Sequence, residues 1–204
     1  MLFNCDKLAE LLHTQDDSAD PFIIVPEPDI SKIRKSGAAS VDLRLGRWFV
    51  SFRHGRAPSI GIDEASDETL NQEKLTKTTF VPFGKEFTLH PGNFVLGITL
   101  EWLRLPSDMG GYITGRSSFS RRGLIIETAT GVHPGYSGCL TLEMTNVGEI
   151  PIAIHPGIEI CQMFFHTAMK GGAIDASQFL GQRRPVLGRV KLDERAKKLM
   201  EEEK

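Results

Sequence analysis

The chain has 204 residues, enough for one domain with a substantial core, and its 24 basic and 26 acidic residues leave a net charge of −2. That balance excludes a general nucleic-acid or membrane-surface binder, and no apolar run approaches the length of a membrane span. Cys5, Cys139 and Cys161 are widely spaced and form no CxxC pair, so they read as reduced thiols rather than a disulfide framework or a zinc cage. The opening MLFNCDKLAE has no signal-peptide core, and the expected location is the cytoplasm.

Eleven prolines and twenty glycines punctuate short apolar stretches, the pattern of an all-β sandwich or barrel. Asn4 can cap a short helix in which Leu8, Leu11 and Leu12 recur at helical spacing. Residues 22–25 read as a short strand ended by Pro26. Over 40–45, Val41, Leu43 and Leu45 alternate with Ser40, Asp42 and Arg44, and Asp42 and Arg44 are expected to form an ion pair. Residues 52–79 are polar and charged and read as the longest loop, either a solvated insertion with some strand of its own or a cover for a partner subunit.

Strand signals resume at 86–89 and 94–100, Pro106 closes a further strand, and residues 112–114 lead into a polar turn at Gly115. Arg116, Ser117, Ser118 and Arg121 crowd that turn, and an apolar run, 124–126, follows. In the strand at 140–145, Leu140, Leu142 and Met144 share one face while Thr141, Glu143 and Thr145 share the other. Glu143 therefore sits on rigid backbone between hydroxyls, pointing away from the apolar side. Residues 152–154 and 158–165 give two more strands, 170–186 reads as irregular, and 192–200 as a helix with a solvated charged face. His-Pro-Gly occurs at 90–92, 133–135 and 155–157, and Pro-Gly suits the centre of a type II turn joining strands.

The common nucleotide and metal signatures are missing. There is no GxGxxG, Gly84-Lys85 is followed by Glu86 so no P-loop forms, and neither HExxH nor the HxE…PCxxC zinc-deaminase pattern occurs.

Several segments, taken in order, resemble the dCTP deaminases of the trimeric dUTPase-like superfamily over about residues 1–186. They are SVDLRLG at 40–46, HPG at 90–92 with FVLG at 94–97, GRSSFSR at 115–121, and Thr128-Ala129. The series continues with PGYSG at 134–138, Leu142-Glu143, and Pro156-Gly157 leading to Gln162. The resemblance implies one domain over 1–204, with 187–204 as a tail. It also implies a distorted β-barrel or jelly roll with short peripheral helices, assembled as a homotrimer. The implied reaction is hydrolysis of dCTP to dUTP and ammonia, with Glu143 as proton shuttle. Ser117 and the Ala129 carbonyl would hold the water, and Arg121 would stabilise developing charge. Ser117 and Arg121 would come from one subunit and Glu143 from its neighbour.

Nucleotide contacts implied in the same way fall on Arg116, Ser117, Ser118, Phe119, Ser120 and Arg121 in the polar turn. Further ones fall on His133, Thr141, Leu142 and Gln162, and on Gln178 and Gln182 in a tail that covers the phosphates. Mg²⁺ would enter on the triphosphate with few or no protein ligands, without zinc, and no nucleic-acid or membrane partner is implied. The chain departs from the pattern at His133, where an acidic residue is usual, and at Gly131, where arginine or an aromatic is common. Gln178 and Phe179 stand where lysine and tyrosine are common. A bifunctional enzyme releasing dUMP and pyrophosphate, and a trimer that senses nucleotide without turnover, stay open as alternatives.

Overall fold

Period-two alternation decides which side each strand buries. The computed structural model describes residues 1–13, 19–53, 75–127, 131–169 and 178–188, with Arg195 and Lys198. Within them run β1 (Ile23–Val25), β2 (Ser40–Arg44), β3 (Trp48–Phe52), β4 (Thr76–Phe80), β5 (Phe87–Leu89) and β6 (Phe94–Arg104). Next come β7 (Met109–Gly115), β8 (Leu124–Glu127), β9 (Gly131–Val132), β10 (Ser137–Asn146), β11 (Ile152–Ile154) and β12 (Glu159–Thr167). Three short helices accompany them: α1 (Cys5–His13), α2 (Ile30–Ser36) and α3 (Ser117–Ser120).

All pairings are antiparallel. One sheet has the order β4-β3-β6-β10-β8, with β1 also on β6; a second has β2-β12-β7-β9; a third is the pair β11-β5. The chain is all-β, as expected, but its sheets stay open instead of closing into a barrel. An isolated bridge between Leu45, just past the end of β2, and Thr99 links this segment to β6. Leu142 and Met144 of β10, Val95 of β6 and Ile126 of β8 meet Val41, Leu43, Ile113 and Met163 of the smaller sheet in one apolar core. The two inner faces approach so closely that a Cβ on Gly115 would stand 3.3 Å from that of Ile126.

α1 starts as its sequence predicts, with the Lys7 amide donating to Asn4 Oδ1 at 2.9 Å and Leu8, Ala9 and Leu12 buried. α2 has too few apolar residues to announce itself. Asp29 caps it by accepting from the Lys32 amide, Gly37 ends it in the left-handed region at φ 64°, and Ile33 is its one buried residue.

The three His-Pro-Gly segments are turns. The amides of Asn93, Tyr136 and Ile158 donate back to the carbonyls of His90, His133 and His155 at 3.1, 3.2 and 3.4 Å. The glycines take φ of 71°, 74° and 92°, which only glycine adopts without strain. Each turn carries the chain out of one sheet and into another: β5 to β6, β9 to β10, and β11 to β12.

Two expectations need correction. Asp42 and Arg44 do not pair; they are two residues apart on one strand face, and each has a nearer partner from another element. Arg44 Nε donates to Glu101 Oε1 at 2.7 Å, and Asp42 Oδ2 lies 3.4 Å from Arg116 Nη1. The loop assigned to 52–79 is shorter at both ends, because Phe52 closes β3 and Thr76–Phe80 pairs with it as β4. Residues 54–74, 170–177 and most of the expected helix at 192–200 lie outside the described residues.

Candidate active site

The polar turn is built on one helical turn. The Arg116 amide donates to the Ile160 carbonyl at 3.2 Å, tying the end of β7 to β12. The Phe119 amide then donates to the Arg116 carbonyl and that of Arg121 to Ser117, at 2.9 and 3.0 Å. Phe119 packs against the core, which leaves Ser117, Ser118, Ser120 and Arg121 on the exposed side.

Arg116 is the half-buried member, and it is engaged. Its Nη1 donates to Glu159 Oε2 at 2.7 Å and lies 3.4 Å from Asp42 Oδ2. The other Glu159 oxygen accepts from the Lys32 ammonium, which also stands 4.0 Å from Asp42 Oδ2. The Lys32 hydrogen bond, with that of Arg116, holds the Glu159 carboxyl below the usual carboxylate range, against an opposing effect of partial burial. Gln162 is opposite Asp42 on one side and Thr114 on the other. Arg116, Asp42 and Gln162 therefore share one end of the smaller sheet's outer face.

Glu143 lies elsewhere. It is half-buried on β10, flanked on its face by Thr141 and Thr145, opposite Leu96 of β6 and Glu127 of β8. Its neighbours Leu142 and Met144 are fully buried, so its carboxylate leaves the core on the larger sheet's outer side. Within one chain the core thus separates Glu143 from Arg116 and Gln162. Asn146, unremarked in the sequence, anchors the end of this strand. Its Nδ2 donates to the Leu89 and Ile150 carbonyls at 3.0 and 2.9 Å, and its Oδ1 accepts from the Gly148 amide at 2.9 Å.

Among the remaining candidates, Ala129 lies outside the described residues. His133 is exposed, and its carbonyl closes the turn ahead of β10. Gln178 and Gln182 fall in a tail segment that docks on the start of β10. The Gly181 amide donates to the Ser137 carbonyl at 2.6 Å, and the Cys139 amide donates to the Gln182 carbonyl at 2.8 Å. Gly138 makes the approach possible, since at its φ of 147° a Cβ would stand 3.2 Å from the Gln182 nitrogen. Gln182 Oε1 is buried and accepts no hydrogen bond from the described residues.

The Arg184 guanidinium lies 4.2 Å from the centre of the Trp48 ring. Beside it opens a cleft of about 430 Å³ walled by Trp48, Trp102, Cys139 and Arg183, which neither Glu143 nor the polar turn lines. Burial pushes the Cys139 thiol up to about 11.

Comparison with known proteins identifies the family. A family profile described as dCTP deaminase-like matches residues 9–168. A protein of Natronomonas pharaonis named dCTP deaminase is 40% identical over 162 residues, 76% of this chain and 80% of its own. One of Methanobrevibacter smithii, named dCTP deaminase, dUMP-forming, is 36% identical over 183 residues, 86% of this chain and 91% of its own. The crystal structure of 2′-deoxycytidine 5′-triphosphate deaminase from Agrobacterium tumefaciens superposes with a TM-score of 0.57 at 22% identity, a likeness of fold. It matches 80% of this chain, which spans 46% of that one. The profile covers most of the sequence, and the chain belongs to the dCTP deaminase-like family.

Proposed function

We propose that the protein hydrolyses dCTP to dUTP and ammonia. Glu143 carries the reading, as a carboxylate fixed in mid-strand by buried neighbours on both sides, in a chain of the dCTP deaminase-like family. Water replaces the 4-amino group. Glu143 takes one proton from the water and delivers it to the ring nitrogen, then takes the second from the new hydroxyl and delivers it to the departing amino group, so the carboxylate ends as it began. Ser117 and the Ala129 carbonyl orient the water, and Arg121 stabilises the charge that develops. Arg116, Ser118 and Gln162 bind phosphate, Thr141 and the backbone of Leu142, whose side chain is buried in the core, lie along the base, and Gln178 and Gln182 close over the nucleotide from the tail. Magnesium would be held mainly by the phosphate oxygens and would neutralise their charge, with Asp42, the hard oxygen donor beside Arg116, able to accept from its water shell.

The site is shared between subunits of a homotrimer. What supports this is the layout of the single chain, with Glu143 on one outer face and the Arg116–Gln162 end on the other. A neighbouring copy brings the two halves together.

A second reading, release of dUMP and pyrophosphate, is favoured by the relatives named dUMP-forming. Exposed His133 weighs against it, because it offers no carboxylate base at the turn before β10.

The test is incubation with dCTP and Mg²⁺, with nucleotides resolved by ion exchange. The wild type is expected to yield dUTP, and Glu143→Gln to lose roughly 10²–10⁴-fold in rate. Mixing and reassembling inactive Glu143→Gln and Ser117→Ala chains should restore about a quarter of the sites, because some neighbours then supply one intact half each. No recovery on mixing removes the shared site. Direct formation of dUMP moves the assignment to the second reading, and absence of turnover sinks the deaminase.

A further inference from the structure

Lys32 belongs to none of the sequence motifs, yet the fold presents it with care. Asp29 Oδ1 accepts from the Lys32 amide at 3.1 Å and from Ser31 Oγ at 2.6 Å, fixing the first turn of α2. Ile33, buried next to it, sets the rotation of the helix. The Lys32 ammonium thereby reaches Glu159 Oε1 and stands 4.0 Å from Asp42 Oδ2. Arg116 takes the remaining Glu159 oxygen at 2.7 Å and approaches the same Asp42 oxygen at 3.4 Å. Two cations thus share two carboxylates.

Exposed ion pairs contribute little to stability, and the four side chains here are 29–57% exposed. What the arrangement does achieve is to hold two like charges side by side, which repulsion would otherwise keep apart. Their open side faces solvent next to the polar turn. An anion with several charged oxygens is the ligand that such a pair suits.

We propose that Lys32 is a phosphate-binding residue whose ammonium contacts the terminal phosphate of the bound nucleoside triphosphate beside Arg116, with Glu159 and Asp42 positioning both cations. The proposal rests on the deaminase reading for the direction of the nucleotide. Ser117 is assigned to the reacting end, Arg116 adjoins it, and Lys32 shares the Glu159 and Asp42 carboxylates with Arg116, which sets its ammonium beside the phosphate-binding arginine. Gln178 and Gln182 bring no charge to this end, so Lys32 supplies a cation that they do not.

The experiment measures binding of dCTP, dCDP and dCMP to the full-length protein with Mg²⁺ by calorimetry, alongside KM and kcat for dCTP. Lys32→Ala is expected to weaken dCTP about tenfold, the loss of one charge-assisted contact, while dCMP changes less than about twofold and kcat is retained. Lys32→Arg should restore most of the dCTP affinity. An equal loss for all three nucleotides, no loss for dCTP, or a fall in kcat with KM unchanged overturns the proposal. Binding is read in a Glu143→Gln background, where turnover does not intrude, and dUTP formation is read separately, so the two readings part. Wild-type protein that binds dCTP but forms no dUTP removes the deaminase reading, and the Lys32 comparison still decides the phosphate contact. Wild-type protein that binds none of the three overturns both.

Discussion

Replacing Glu101 by glutamine tests whether the two sheets are joined by charge. Glu101 is 2% exposed, and its oxygens accept from the Arg44 amide at 2.8 Å and from Arg44 Nε at 2.7 Å. Glutamine keeps the shape and one acceptor, but turns an NH₂ group toward a second N–H donor. One charge-assisted hydrogen bond is lost, about 1.5–3 kcal/mol, and a donor left facing a donor adds about 1–3 kcal/mol. Breaking a buried pair from one side costs about 3–5 kcal/mol. The Arg44 side chain is 36% exposed and keeps water on one side, which places the expected cost near the lower end, about 3 kcal/mol.

At this chain length each kcal/mol moves Tm by about 2–4 °C, so the variant should melt about 6–12 °C lower. Calorimetry at fixed protein concentration, with urea unfolding to check that m is unchanged, measures it. The double variant Arg44→Met/Glu101→Leu should recover the charge part but still lack a partner for the residue-44 amide, leaving a deficit of about 1 kcal/mol. A Glu101→Gln loss under about 1 kcal/mol would refute the argument that this carboxylate clamps β2 onto β6.

Two further outcomes follow from the start of β10. Gly138→Ala sets a Cβ against the Gln182 backbone at a φ of 147°, so the tail should undock. Limited proteolysis within 178–188 should then be faster and KM for dCTP higher, with kcat little changed; unaltered proteolysis would remove the docking argument. Burial raises the Cys139 thiol from its ordinary 9.0 to about 11. A folded value above the unfolded one means stability complete below pH 9 and lost as pH climbs toward 11. Cys139→Ala should flatten that alkaline decline, and native protein at pH 8 should leave Cys139 unlabelled by iodoacetamide while unfolded chain reacts.

What the sequence disclosed and what it hid follow from the range of each interaction. Alternation in 40–45 and 140–145 gave the buried faces of β2 and β10, because a strand's two sides are written in adjacent residues. The His-Pro-Gly turns were readable for the same reason: their hydrogen bonds span three residues. Partners across the fold were not. Arg44 was expected to take Asp42, two residues away, when its carboxylate lay 57 residues on at Glu101. Arg116 looked available for phosphate, and its engagement by Glu159 comes from a strand 43 residues later. α2 escaped because seven residues with one buried side chain carry no helical period. Periodicity names the face a side chain occupies; it does not name what waits there.

The three Pro-Gly corners also bear on how the molecule forms. Because each sends the chain into a different sheet, the strands it joins are not partners in any ladder. Among the described residues β3 and β4 alone are both consecutive and paired, and residues 54–74 intervene between them. Few hairpins can therefore serve as local starting points, and most ladders must wait for distant segments to meet. That topology belongs to slow folders, whose unpaired edges stay exposed longest while the chain is incomplete. Production at lower temperature, with chaperones present, is the condition under which such a chain reaches its native pairing before it finds a neighbour's strands.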